Sequence, residues 1–126
     1  MKVIIAGGQE YNPSDYEEKL VKLILDDLGA TEVVSGGARG VDKWGECLGE
    51  QLGLAVSVFK AEWNKYGNPA GPIRNMQMAK YSDACILLTG NRGTKDMYSC
   101  AKKLNLKIAD LRDGKYDLSW RGLFNV

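Results

Sequence analysis

The chain contains no histidine. That absence excludes a Ser-His-Asp triad, a Cys-His dyad and an HExxH zinc site, so acid–base work would fall to Asp, Glu, Lys, Tyr or Cys. Cysteine is scarce as well. Cys47, Cys85 and Cys100 form an odd set without a CxxC pair, which argues against a disulfide framework or a zinc cluster and suits a reducing cytoplasm. They read as small buried hydrophobes. Long apolar runs are missing: MKVIIAGG is too short for a signal peptide, and no stretch approaches the ~20 residues of a membrane span. Charge of one sign is lacking too. The 17 Lys and Arg nearly balance 16 Asp and Glu, so no global field favours nucleic acid.

What is present is glycine, 15 of 126 residues, well above the usual ~7%. A chain of this length fits one domain and can bury about two thirds of its surface without staples. Val3-Ile4-Ile5-Ala6, closed by Gly7-Gly8, reads as a buried strand. Ser14 with Glu17 three residues on reads as a helix start, and Leu20, Val21, Ile24, Leu25 and Leu28 form its apolar face, with Gly29 at its end. Thr31 to Val34 is a second strand. A helix follows from Val41 to Leu52, in which the spacing of Gly45 and Gly49 predicts a close approach to the sheet. Leu54 to Phe59 is a third strand and Ala61 to Gly71 a loop. Pro72 suits a first helical position, opening about two turns that run to Lys80. A strand over Ala84 to Leu88, a loop over Thr89 to Gly93, a helix over Thr94 to Leu104 and a strand over Leu106 to Ala109 complete the pattern. The tail KYDLSWRGLFNV reads as a short strand plus an irregular end.

The order predicts an α/β fold: a Rossmann-like, doubly wound, mainly parallel sheet of about five strands with helices on both faces. Residues 1–110 form this domain, and 111–126 extend it. Short apolar strands throughout suit parallel strands covered on both sides.

In such folds ligands bind beyond the carboxyl ends of the strands. Gly7 and Gly8, then Gly36, Gly37 and Gly40, then Gly67 and Gly71, then Gly90 and Gly93 all fall in those loops. Arg39, Arg74 and Arg92 fall in or just after them. Glycine lets backbone N–H groups approach a phosphate, helix starts add partial positive charge, and arginine adds a bidentate fork. The densest segment is Ser35-Gly36-Gly37-Ala38-Arg39-Gly40-Val41-Asp42. It is neither a P-loop nor GxGxxG. Asp42 there orients Arg39, holds a ribose hydroxyl, or simply pairs with the helix dipole. In Asn91-Arg92-Gly93-Thr94-Lys95-Asp96, Gly93 and Thr94 offer donors at a helix start. Asp96 is a base, a sugar ligand or a plain first-turn carboxylate. In Gly71-Pro72-Ile73-Arg74-Asn75, Arg74 pairs with a phosphate or makes a structural ion pair. Trp63 and Tyr66 ahead of it stack on a base or pack their loop.

These motifs, namely VIIAGGQEY, VVSGGARGVD, AEWNKYGNPAGPIRN with MQMAKYSDACILL, and NRGTKDM, together resemble the SLOG superfamily of Rossmann-like nucleotide-binding domains. The nearest branch is its small stand-alone YspA/YpsA-related group from bacteria and phages. The likeness runs over about residues 1–110. It implies a doubly wound sheet with a nucleotide-type ligand above the first, second and fourth strands. Where that group carries G-S-R after the first strand, this chain has Gly7-Gly8-Gln9, one anion contact fewer. Arg92 to Met97 is similar to a shortened form of the GGxGTxxE motif of the cytokinin-activating phosphoribohydrolases, with Asp96 near the place of the Glu. The SG-x-ARG-x-D stretch resembles that of the single-strand-binding DNA-processing protein DprA.

Three functions stay open. The first is binding of a nucleotide-derived molecule such as an NAD or ADP-ribose species, as a sensor or sequestering protein. Gly7, Gly8, Gln9, Ser35, Gly36, Gly37, Arg39, Gly40, Asp42, Arg74, Asn75, Arg92, Gly93, Thr94 and Asp96 would line that site. The second is a hydrolase of a nucleotide N-glycosidic bond, with Asp96 as its carboxylate and Arg74 fixing the phosphate. The third is single-stranded nucleic-acid binding through Trp63, Tyr66 or Trp120. None requires a metal or a further cofactor. The expected compartment is the cytoplasm, that of the host if a phage encodes the chain. Tyr116, Trp120 and Phe124 in the tail dock on a second copy, as in a dimer, or cover their own sheet.

Overall fold

The computed structural model of the chain describes residues 1–121; Gly122 and Phe124 lie outside them. Six strands, β1 (Lys2–Ala6), β2 (Glu32–Ser35), β3 (Ala55–Val58), β4 (Ala84–Leu87), β5 (Lys107–Asp110) and β6 (Asp117–Leu118), alternate with five helices: α1 (Asp15–Asp27), α2 (Val41–Gln51), α3 (Trp63–Tyr66), α4 (Ala70–Tyr81) and α5 (Arg92–Lys103). The strands form one sheet in the order β3-β2-β1-β4-β5-β6. Pairing is parallel except for β6, which runs antiparallel to β5. The fold is thus doubly wound α/β, and the order reverses between β1 and β4.

Alternation along the strands builds two apolar layers. Val3 and Ile5 of β1 join Val33, Ile86 and the apolar faces of α1 and α2 on one side. Ile4 and Ala6 join Val34, Cys85, Leu87, Met78 of α4 and Met97 of α5 on the other. Burying each large aliphatic side chain contributes roughly 1.5–3 kcal/mol. β3 departs from the expectation of full coverage: as an edge strand it leaves Ala55 and Val58 exposed. Among the cysteines, Cys85 and Cys100 are buried but Cys47 is exposed on α2.

Ser14 caps α1 in a complete capping box with Glu17. Gly45 and Gly49 let α2 lie close on the sheet, since a Cβ at either would meet Ile5 or Val33 at about 3 Å. Three boundaries differ from expectation. The third strand's following loop contains one turn of helix, α3. The next helix opens at Ala70, not Pro72, and runs three turns; Pro72 still sits in the first turn, where its missing N–H costs nothing. The last helix opens at Arg92, so Gly93 and Thr94 belong to its first turn. In the tail, β6 is the short strand. Trp120 packs against the core layer beneath α1 and its indole N–H donates to Asp27 at 3.4 Å, whereas Tyr116 is exposed. No helix of the described residues is long and apolar enough to cross a membrane.

Candidate functional site

A cleft of about 640 Å³ opens above the carboxyl ends of β1 and β4, the place where the strand order reverses and where open α/β sheets bind ligands. Three loops form it. The β1–α1 loop brings Gly7, Gly8, Gln9, Glu10 and Tyr11. The β2–α2 loop brings Ala38 and Arg39, with Asp42 from the first turn of α2. The β4–α5 loop brings Thr89, Gly90 and Asn91, with Gly93 and Thr94 from the first turn of α5. Arg74, Asn75 and Met78 of α4 and Met97 of α5 complete the lining.

Glycine makes this convergence possible. The first and fourth strand loops touch through Gly8 N–H, which donates to the Thr89 carbonyl at 2.9 Å. A Cβ on Gly90 would stand 2.7 Å from Gly8 N and collide with the Thr94 hydroxyl. Gly40, at φ 76°, turns the chain into α2 where a Cβ would meet the carbonyls of Gly8 and Gln9 at 2.5 Å. Both conditions select glycine.

The helix starts differ in a way that bears on the cleft. The start of α1 is closed by its capping box, but α2, α4 and α5 have no side-chain cap. The first N–H groups of a helix have no partner within it. In α5 the earliest such bond runs from Lys95 N–H to the Asn91 carbonyl, and Gly93 and Thr94 before it line the cleft.

Arg74 is half-buried. Its Nε donates to Asn75 Oδ1 at 3.0 Å, and its Nη1 to the carbonyl of Gly36 and, at 3.5 Å, to that of Phe59. Burial pulls its pKa below the ordinary arginine value, against the pull of Asp42 and Asp96. Asp42 is 7% exposed and accepts from Ala38 N–H at 3.1 Å. Burial lifts its pKa to about 6, outweighing that bond and the nearby Arg74. Asp42 does not orient Arg39. That guanidinium is exposed and pairs instead with Glu10 across the mouth of the cleft.

Of the residues expected from sequence, Gly7, Gly8, Gln9, Arg39, Asp42, Arg74, Asn75, Gly93 and Thr94 line the cleft together. Ser35, Gly36, Gly37, Gly40, Arg92 and Asp96 do not. The Ser35 hydroxyl donates to Glu46 at 2.6 Å and accepts from Gly37 N–H, which shapes the loop from beneath. Gly36 supplies a carbonyl to Arg74, Gly37 packs on Val58, and Arg92 is exposed. The Asp96 carboxylate accepts from Asn75 Nδ2 at 2.9 Å and lies 3.8 Å from the Cys100 thiol. Trp63 and Tyr66 are exposed outside the cleft; the Trp63 ring edge lies over Gly71. Glu10, Tyr11, Ala38, Met78, Thr89, Asn91 and Met97 were not expected. All but Thr89 lie within the motifs quoted above, yet none stood out there as a ligand contact.

No protein-family model matches the chain. The "Gene 61 protein" of Mycobacterium phage D29 is 30% identical over 90 residues, a match covering 64% of this chain and 71% of that protein. At that identity and coverage, the chain belongs to the family of this mycobacteriophage protein.

Proposed function

We propose that the chain binds a nucleotide or nucleotide-derived small molecule of the NAD or ADP-ribose type in this cleft, as a sensor or a sequestering protein. The observation that carries the reading is the meeting of Gly93 and Thr94, at the uncapped start of α5, with Arg39 and Arg74 around one cleft at the strand-order reversal. Free N–H groups and guanidinium forks suit the oxygens of a phosphate or diphosphate. Asp42, the buried carboxylate of the cleft, suits a ribose hydroxyl. A volume of about 640 Å³ lies in the range of small-molecule sites. The phage relative supports a phage source and the resemblance to SLOG domains supports the nucleotide; the role proposed from the two is removal of a signalling nucleotide in the host cytoplasm.

Hydrolysis of an N-glycosidic bond through Asp96 has weaker support, because Asp96 is engaged by Asn75 and is absent from the cleft lining. Single-strand binding draws on the exposed Trp63, against a net charge of +1. Denaturing the purified protein and identifying released nucleotides by mass spectrometry tests the proposal, together with thermal shifts across NAD-type and mononucleotide ligands. A released nucleotide or a stabilising ligand is expected. No release and no shift across the panel would overturn the reading.

A further inference from the structure

We infer that Asn75 and Asp96 are positioning residues, which hold the Arg74 guanidinium and the start of α5 as one anion-facing unit, and that Asp96 acts through Asn75 rather than on the ligand. The ligand part of this inference rests on the reading proposed above.

Asn75 is 5% exposed and its amide is used at both ends. Oδ1 accepts from Arg74 Nε at 3.0 Å, while Nδ2 donates to Asp96 Oδ2 at 2.9 Å and to the Gly93 carbonyl at 3.3 Å. The two ends cannot be exchanged. Arg74 Nε can only donate, and an ionised Asp96 can only accept. The amide plane is therefore fixed by Asp96 on α5 and imposed on Arg74 of α4. On its far side Arg74 is held by the carbonyl of Gly36. A guanidinium pinned at Nε and Nη1 leaves Nη2 without a hydrogen bond among the described residues, on a side chain that lines the cleft. The Gly93 contact ties the same amide to the first turn of α5, whose Gly93 and Thr94 line that cleft. Preorganised donors bind an anion more tightly than donors that must be ordered on binding.

Three variants separate this role from a catalytic or merely structural one. Asp96→Asn keeps an acceptor for Asn75 Nδ2, Asp96→Ala removes it, and Asn75→Leu removes the amide at similar size. The first readout needs no ligand: the Arg74 Nε–H signal and its exchange rate in 15N-labelled protein. The second compares affinity for ADP-ribose with affinity for adenosine, which lacks the phosphates. Wild type and Asp96→Asn should show the same slowly exchanging Nε–H and ADP-ribose affinities within roughly twofold. Asp96→Ala and Asn75→Leu should lose the protected signal and about tenfold or more in ADP-ribose affinity, the range of one hydrogen bond to a charged group. Adenosine affinity should hold in Asp96→Ala, whose side chain is not part of the cleft lining. An unchanged Arg74 signal in Asp96→Ala would overturn the inference whatever binds. So would an Asp96→Asn protein that keeps the signal yet loses ADP-ribose, since Asp96 would then act directly. If ADP-ribose binds none of the proteins, support for the proposed ligand is lost while the Arg74 signal still decides the relay.

Discussion

Arg74 and Asp42 converge on the one place where Gly36 has no side chain. A Cβ there would lie 2.7 Å from Arg74 Nη1 and 2.9 Å from Asp42 Oδ2. The two charges are close, yet they form no ion pair: Arg74 Nη1 is spent on backbone carbonyls and Asp42 on Ala38 N–H. Each keeps capacity for something in the cleft.

Gly36→Ala should therefore damage the site. The added methyl must displace the guanidinium or the carboxylate, and overpacking of this kind costs about 1–3 kcal/mol. Titration with a phosphate-bearing nucleotide should show a loss of affinity larger than the fall in melting temperature would suggest.

Asp42 makes stability depend on pH. Its pKa of about 6 in the folded chain exceeds the ordinary carboxylate value of 3.8. The native state thus holds its proton more tightly than the unfolded chain does. The resulting stabilisation is complete below pH 3.8 and lost as pH rises through about 6, a difference of order 3 kcal/mol. Replacing the carboxylate by an amide removes that penalty, less about 1 kcal/mol for burying the amide's own N–H groups. Asp42→Asn should stabilise the protein by about 2 kcal/mol at pH 7.5, with the gain disappearing near pH 4. Denaturant melts at the two pH values check this.

Gly90 and Gly93 should respond in opposite ways. Gly90→Ala drives a methyl into Gly8 N and Thr94 and should lower stability by about 1–3 kcal/mol. Gly93→Ala meets nothing within 4 Å and replaces a glycine in the first turn of α5, so stability should hold or rise by no more than about 0.5 kcal/mol. Its methyl nevertheless enters the cleft lining, so nucleotide affinity should fall. Melting curves beside binding isotherms would separate the fold from the site.

Glu10 competes for Arg39. Their pair is exposed on both sides and contributes about 0–1 kcal/mol to stability. Glu10→Gln should leave the melting temperature unchanged while freeing Arg39, tightening binding of a phosphate-bearing ligand by roughly two- to fivefold at low salt. Calorimetric titration of wild type and variant is the check.

What the sequence made legible was local. Ser14 and Glu17 announced α1, and the spacing of Gly45 and Gly49 announced a helix pressed on the sheet. Alternating apolar residues in short strands announced the doubly wound architecture. Reading failed where local signals conflict with tertiary ones. Asn68-Pro69-Ala70-Gly71 has loop chemistry, yet α4 starts within it because Ala70 and Gly71 are buried. Gly93 looks like a helix breaker but occupies a first turn, where glycine costs little. Asp96 and Asp42 were equivalent as first-turn carboxylates. The structure separates them twice: α5 opens at Arg92, which puts Asp96 beyond its first turn, and Asn75 of α4 claims Asp96 while Asp42 lines the cleft. Thr89 and Asn91 gain their place solely because β4 pairs with β1, a contact between segments some eighty residues apart.

Chemical-shift mapping with ADP-ribose on 15N-labelled protein tests the central claim most directly. Perturbations should concentrate on the amides of Gly8, Gly90, Gly93 and Thr94 and on the Arg74 side chain, and should vanish in Arg74→Gln. Perturbations centred instead between α5 and β6, around Tyr98, Lys102 and Asp117, or none with ADP-ribose or any other nucleotide tried, would contradict a nucleotide site in the β1–β4 cleft.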